Sequence, residues 1–400
     1  MRTTTRLAHL LAPGLVFLLI ALQLAACGET APTSGTTSSP VSLQIVDAGG
    51  FMSMAKPMME SYRKAHPDKV SSITYLPRVQ APDLPGRLKT EQAAGKVQTS
   101  LIISGYDAVS DSITQGLVEQ ILPAHASVFP NLDANYQPAA KSYNDLANGN
   151  ALVFMYTPSG PVFEYDPAKV PNPPTTIEEL RSWIKANPHH FLYARPRNSG
   201  PGRTMLMGLP YLLGDKDPQD PTNGWDKTWA FLKDAGSSIS AYPTRTTDVM
   251  TALAKGDAWM VASTLGWDLN PRILHQVPAG MKTFVLQDTT FVADASFLMI
   301  PKGLDKAHLD VVLDMINWML QPAQQAQAYD SGYFYPGPAI KNVPLSMAPQ
   351  LSQQMIQQYG RPEYDTLIQS TKIVMPLSNT NLIAAFDKWD QEIGGTKFKH

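Results

Sequence analysis

Cysteine is almost absent: the 400 residues hold one, Cys27. A chain of this length with one thiol has no intramolecular disulfide framework. An excess of charge of either sign is also missing. Lys and Arg number 32 against 34 Asp and Glu, a formal charge of −2. That balance excludes a basic nucleic-acid binder and a polybasic membrane patch, and no nucleic-acid partner is expected. Beyond the N-terminus no stretch is apolar enough to span a membrane. There is no internal repeat, and the 34 prolines are scattered over loops. G-x-S-x-G, H-E-x-x-H and Walker A patterns are lacking. His189 and His190 are adjacent, so they cannot form an i, i+4 zinc pair. Glu178 and Glu179 suit helix capping better than acid–base work. No metal, cofactor or catalytic residue is expected.

The N-terminus is organised. Arg2 and Arg6 precede the mostly apolar "LLAPGLVFLLIALQL" of Leu10 to Leu24, and small Ala25 and Ala26 follow. This is the layout of an export signal, residues 1–26, and it is short for a membrane span. "LAAC" resembles the lipobox of bacterial lipoproteins, which implies cleavage before Cys27 and lipidation of its thiol. Residues 27–40 include "GETAPTSGTTSSP". They are too polar to offset chain entropy by burial and read as a disordered tether. The folded part is thus expected on a leash outside the cytoplasmic membrane, in the periplasm or at the cell exterior.

The full chain is 44% apolar by composition, and the part after the tether is long enough for two lobes. "VSLQIV" (Val41–Val46) reads as a strand, followed by a helix through "FMSMAKPMMESYRKAHP" in which Ser53 is a candidate N-cap and Pro57 a difficulty. Strands at Ile73–Leu76 and Leu101–Ser104 flank a helix near Leu84–Ala94, the pattern of a parallel sheet with crossovers. "ALVFMY" (Ala151–Tyr156) is a buried strand. Thr176 and Glu179 have capping-box spacing before the stripe Ile177, Leu180, Trp183 and Ile184. Strands at Phe191–Tyr193, Trp259–Ala262 and Lys282–Leu286 alternate with helices near Arg203–Leu213, Trp225–Ala235 and Asp248–Lys255. "ASFLMIP" is again strand-like, the stripe Leu309 to Leu320 is helical, and a last helix is expected at Leu382–Trp389.

Three stretches carry a resemblance: "YDPAKVPNPPTTIEELRSWIKANPHHF", "TTDVMTALAKGDAWM" and "FLMIPKGLDKAHLDVVLDMINWMLQPAQQAQAY". Their order and spacing are similar to those of extracellular solute-binding proteins of ABC importers, in the group with polyamine, thiamine and iron receptors. The resemblance implies an α/β, two-lobed periplasmic-binding-protein-like fold of type II. It implies a first lobe of residues 41–155 and 295–400, a second of 156–294, and two crossing segments near 153–160 and 288–296. It also implies a monomer that delivers a small solute to ABC permease subunits.

In open α/β sheets, ligands sit where strands end and helices begin. The candidate ligand residues therefore come from such loops. In "DAGGF" they are Gly50 and Phe51, which also fit a plain turn. In "SGYD" they are Ser104, Gly105 and Tyr106. Tyr156, at the presumed hinge, faces either cleft or core. In "ARPRNSGPGRT" Asn198, Ser199 and Arg203 stand before a helix, with Arg195 and Arg197 as further anion holders or as a solvated basic loop. Thr246 is a ligand donor or a helix cap. Trp267 and Asp268 make either an aromatic face beside a carboxylate or a core residue and a cap. Asp294 is the second carboxylate. These acids and Trp267 favour a polyamine- or thiamine-like cation; the arginines suit an anion, and the aromatic faces a sugar. Tyr333 and Tyr335 alternate to opposite faces, which argues against iron.

An enzyme reading competes. Ser53-x-x-Lys56, Ser142-Tyr143-Asn144 and Lys282-Thr283-Phe284 stand in the order of the penicillin-interacting serine enzymes, with Ser53 as nucleophile and Lys56 as base. Phe284 departs from that pattern, where a glycine gives the substrate room.

Overall fold

The computed structural model describes residues 39–395 and 397–399. The expected export signal, Cys27 and the tether up to residue 38 lie outside them. β-branched and aliphatic runs supply the first sheet. β1 (Val41–Asp47), β2 (Val70–Tyr75) and β3 (Leu101–Ser104) pair in parallel. They are joined through α1 (Met52–Ala65) and α2 (Leu84–Ala93), and α3 (Tyr106–Thr114) follows. β4 (Ala151–Gly160), buried along its whole length, leaves this sheet and runs into β5 (Val162–Tyr165) of a second one.

The second lobe begins there. α4 (Ile177–Ala186) starts at Thr176, whose hydroxyl accepts from the Glu179 N–H at 3.2 Å, while Glu179 reaches back to the Thr175 N–H at 2.7 Å. β6 (Phe191–Leu192), α5 (Gly200–Leu212), α6 (Asp226–Gly236), β7 (Tyr242–Pro243), α7 (Thr246–Lys255), β8 (Met260–Ser263) and β9 (Lys282–Phe284) follow. The sheet order here is β6-β8-β5-β9. The chain returns through β10 (Phe291–Met299), antiparallel to β4 over Val292 to Met299. After α8 (Lys306–Met319), the strands β11 (Gly337–Pro338) and β12 (Ile373–Val374) complete a seven-stranded sheet, β11-β4-β10-β3-β1-β2, with β12 on β10. The mixed α/β fold with two sheets and two neighbouring crossing strands matches the expected class. Its parallel part is β1 to β3; β10 enters antiparallel between β3 and β4.

Three details differ from expectation. α1 starts at Met52, with Phe51 rather than Ser53 before it, so Pro57 lies inside the helix. Pro57 is exposed, and it has no N–H to offer the Ser53 carbonyl one turn before it. The end of the chain, expected with the first lobe, packs on α3 of that lobe and also reaches the second. α9 (Asn379–Trp389) leads to β13 (Phe398–Lys399), which pairs with β7. Trp389, fully buried, donates its indole N–H to the Tyr193 hydroxyl at 3.1 Å. Finally, Arg195 and Arg197 are bound by Asp390 and Asp387, so neither is left for a ligand. Among the described residues no helix is long and apolar enough to cross a membrane.

Candidate functional site

Four helices begin around one cavity of about 200 Å³, below the usual range of drug-sized sites. The residues that precede them, Phe51, Gly105, Ser199 and Arg245, all line it. One wall comes from the seven-stranded lobe: Gly49, Phe51, Arg78, Gln80, Gly105, Tyr333 and Phe334. The other comes from the four-stranded lobe: Asn198 to Pro201, Arg203, Thr244 to Thr247, Thr264 and Trp267. Asp294, on the second crossing strand, closes the back.

Aromatic rings join the two walls. Trp267 meets Tyr333 edge-on, with centroids 5.2 Å apart at 82°. Within the first wall, Phe51 meets Phe334 at 5.3 Å. Burial pushes the Tyr333 phenol up to about 12, so it stays protonated at neutral pH. The polar corner is built from two helix starts. The Ser199 hydroxyl accepts from the Gly202 N–H at 3.1 Å and lies 2.8 Å from the Thr246 hydroxyl. Arg203, nearly buried, donates to the Asp294 carboxylate at 2.8 Å.

Of the thirteen expected ligand residues, Phe51, Gly105, Asn198, Ser199, Arg203, Thr246, Trp267 and Asp294 line the cavity. Gly50 does not. It holds a left-handed turn (φ 88°) and its bare Cα carries the Arg78 guanidinium. Ser104 is fully buried in β3 opposite Phe297. Tyr106 packs edge-on against Tyr143 at 5.8 Å, inside the first lobe. Tyr156 points its phenol into the core, where burial raises it above its ordinary range. Asp268 is fully buried behind Trp267, and its Oδ2 takes the Arg361 Nε–H at 2.5 Å. The pairing of Trp267 and Asp268 as one cation seat is therefore not what the fold builds.

Arg78 was within reach of the same loop rule, since it follows β2 and precedes α2. Tyr333 and Phe334 were not, because they arrive on irregular chain. Tyr335 diverges from Tyr333 and donates to Asp365 at 3.0 Å. Among the described residues no three His, Cys, Asp or Glu gather as a metal site. The serine-enzyme constellation is dispersed. Ser53 donates to Asp330 at 3.3 Å, Lys56 lies over the Tyr75 ring at 4.8 Å, and Lys282 to Phe284 belong to the second sheet.

A family model of bacterial extracellular solute-binding proteins matches residues 57–356. The chain belongs to that family. The family and the similar solved structures are of binding proteins. Solved structures are similar at low identity. A putative spermidine/putrescine ABC transporter protein from Listeria monocytogenes is 15% identical, with 88% of this chain and 98% of that one covered and a TM-score of 0.58. The periplasmic binding protein AfuA from Actinobacillus pleuropneumoniae, with fructose-6-phosphate bound, is 14% identical over 88% and 98%, with a TM-score of 0.61. AgtB from A. tumefaciens, in complex with agropinic acid, is 18% identical over 88% and 99%, with a TM-score of 0.58. These likenesses establish the two-lobed periplasmic-binding-protein fold. No curated protein matches the chain.

Proposed function

We propose that this solute-binding protein is the receptor of an ABC importer, tethered by a lipid on Cys27, which captures a small polar solute between its lobes and passes it to a membrane permease. The observation that supports this most directly is the cavity lined from both sheets, with Arg78 and Phe51 on one side and Ser199, Thr246 and Trp267 on the other. A guest gripped by both walls stabilises the closed arrangement, and only such differential affinity shifts the population of closed molecules. The two antiparallel crossing strands, β4 and β10, are the natural hinge. The protein acts as a monomer in this reading, with 41–155 and 156–294 as the bulk of its lobes.

The expectation of a polyamine- or thiamine-like cation finds little support at the cleft. It rests on Trp267, Asp268 and Asp294; Trp267 does line the cleft, but both acids are taken by arginines. Small-angle scattering of the full-length chain across a panel of polyamines, thiamine, sugars, sugar phosphates and carboxylates tests the receptor reading. One class should reduce the radius of gyration and raise the melting temperature together. A radius unchanged by every member, with no thermal shift, would sink it. Replacing Cys27 with Ser should release the protein from membranes, and a variant that stays membrane-bound would overturn the anchor.

A further inference from the structure

The unfilled hydrogen-bonding groups in the cleft are nearly all donors, while its carboxylates are spoken for. Asp47, beside the cleft, accepts from the N–H groups of Gly49, Gly50 and Met52 at 2.9, 2.7 and 3.0 Å. Asp294 takes Arg203 and the Ala295 N–H. Asp248 takes both ends of Arg245, at 3.0 and 3.1 Å. Asp268 is turned away into its own arginine pair. Among the described residues, an ammonium group entering here finds no free carboxylate, and it meets the positive ends of helix dipoles.

The donors are different. At the start of α5, Gly202 is satisfied by Ser199, and Pro201 has no N–H, which leaves the Gly200 N–H. At the start of α7, Asp248 bonds to the Arg245 carbonyl, which leaves the N–H groups of Thr246 and Thr247. None of these three has a backbone or side-chain acceptor among the described residues. The Ser199–Thr246 hydroxyl contact fixes the two helix starts side by side, so the three donors share one corner. A second, independent feature lies against that corner. Thr264 is only 5% exposed and lines the cavity, and no hydrogen bond among the described residues engages its hydroxyl. The indole N–H of Trp267 likewise lacks an acceptor. Across the cleft, Arg78 rests on Gly50, and among the described residues no carboxylate pairs with it.

We infer that this cleft takes a small organic oxyanion, a phosphate ester or a carboxylate, whose charged end seats on the Gly200, Thr246 and Thr247 N–H groups with Arg78 closing over it from the opposite lobe. The aromatic side formed by Phe51, Trp267, Tyr333 and Phe334 takes the ring or carbon skeleton of the same molecule. Two helix N-termini and a guanidinium are the combination that oxyanions bind, because each contributes charge-assisted donors without an acceptor to repel the ligand. Arg78 and the helix pair come from different lobes, so the anion itself is the clasp that draws the lobes together. This inference rests on the cleft being the solute site.

Calorimetric titration of the full-length chain with four matched sets tests it: glucose and glucose 6-phosphate, benzyl alcohol and benzoate, inorganic phosphate, and putrescine with spermidine. Binding is expected for at least one phosphate ester or carboxylate and not for its uncharged partner or the polyamines. Which of the two anion sets binds separates phosphate from carboxylate recognition. For the anion that binds, Arg78→Ala should weaken affinity by about tenfold or more, with Arg78→Lys intermediate. The helix seat has its own probe. Arg245 already has the extended backbone (ψ 144°) that must precede a proline, and Thr246 is the first residue of α7, so Thr246→Pro removes one N–H while keeping the helix. Thr246→Ala removes the hydroxyl and the γ-methyl but keeps the N–H. The proline variant should bind the anion about three- to tenfold more weakly than the alanine variant. Tight binding of a polyamine or a neutral sugar, unaffected by Arg78→Ala, would overturn the anion inference and leave the receptor reading standing. Failure of every set, with no compaction across the wider panel, would overturn both.

Discussion

Arg195 is clasped by Asp390 through both ends of its guanidinium, Nε to Oδ1 at 2.8 Å and NH2 to Oδ2 at 2.6 Å. The two residues are 195 positions apart, and the pair ties the chain's last helical turn to the loop that precedes α5. Arg197 joins the same carboxylate and Asp387, and Lys233 reaches Glu392 at 2.7 Å. The C-terminal acids thus occupy the arginines that the sequence offers as anion holders.

Removing Asp390 should therefore loosen the C-terminal segment without emptying the cleft. The Arg195–Asp390 pair is about three-quarters buried and bidentate, so its loss lies between a surface pair and a buried one. Asp390→Ala is expected to cost about 1–2 kcal/mol, read as a lower melting temperature, with the deficit shrinking as salt is added. Limited proteolysis should cut near α9 faster in the variant. Solute affinity should stay near that of the unaltered chain, because neither residue lines the cavity.

Much of this architecture is legible in the sequence, and the failures have physical reasons. The parallel β1–β3 unit and the capped α4 follow from local periodicity and capping chemistry, which act within a few residues, whereas the two crossing strands are implied only by the family resemblance. The seating of β10 between β3 and β4 does not follow locally, since strand neighbours are chosen by long-range pairing. The loop rule finds Phe51, Gly105, Ser199 and Thr246, because helix starts are local features. It cannot tell a free acid from a neutralised one. Asp268 looks like a cleft carboxylate beside Trp267, yet its partner, Arg361, is 93 residues away. Tyr156 reads equally as cleft or core, and only the pleat of β4 decides for the core.

Gly266 allows the lobes to meet at the cleft. Its φ is 91°, and a Cβ there would come within 2.5 Å of the Gly332 carbonyl oxygen and 2.6 Å of that of Tyr333. Both are backbone atoms that cannot step aside singly. Gly266→Ala should cost at least about 1–2 kcal/mol from the left-handed conformation alone. It should also push the Tyr333 segment away from Trp267. The expected result is a lower melting temperature together with weaker solute binding. A variant that loses stability but binds solute with unchanged affinity would show that the Trp267–Tyr333 contact is not needed for the grip.

Glu164 sets a pH dependence with a defined sign. It is fully buried in β5, and neither carboxyl oxygen has a hydrogen-bond partner. Burial pushes its titration well above the usual glutamate range, and the negative Asp268 pushes further, against the opposing pull of Arg361 and Arg272. Tyr364, also buried beside this group, stays neutral. The folded protein therefore keeps a proton on Glu164 at pH values where an unfolded glutamate, titrating near about 4.3, has lost it. Its contribution to stability is complete below that value and is lost as pH rises toward the folded titration point. Glu164→Gln removes the titration. The melting temperature of the unaltered chain minus that of the variant should consequently fall as pH is raised from 4 to 8, measured at constant ionic strength. Two curves that run parallel across that span would mean that Glu164 is ionised in the fold, and the buried cluster would then have to hold two carboxylates against Arg272 and Arg361.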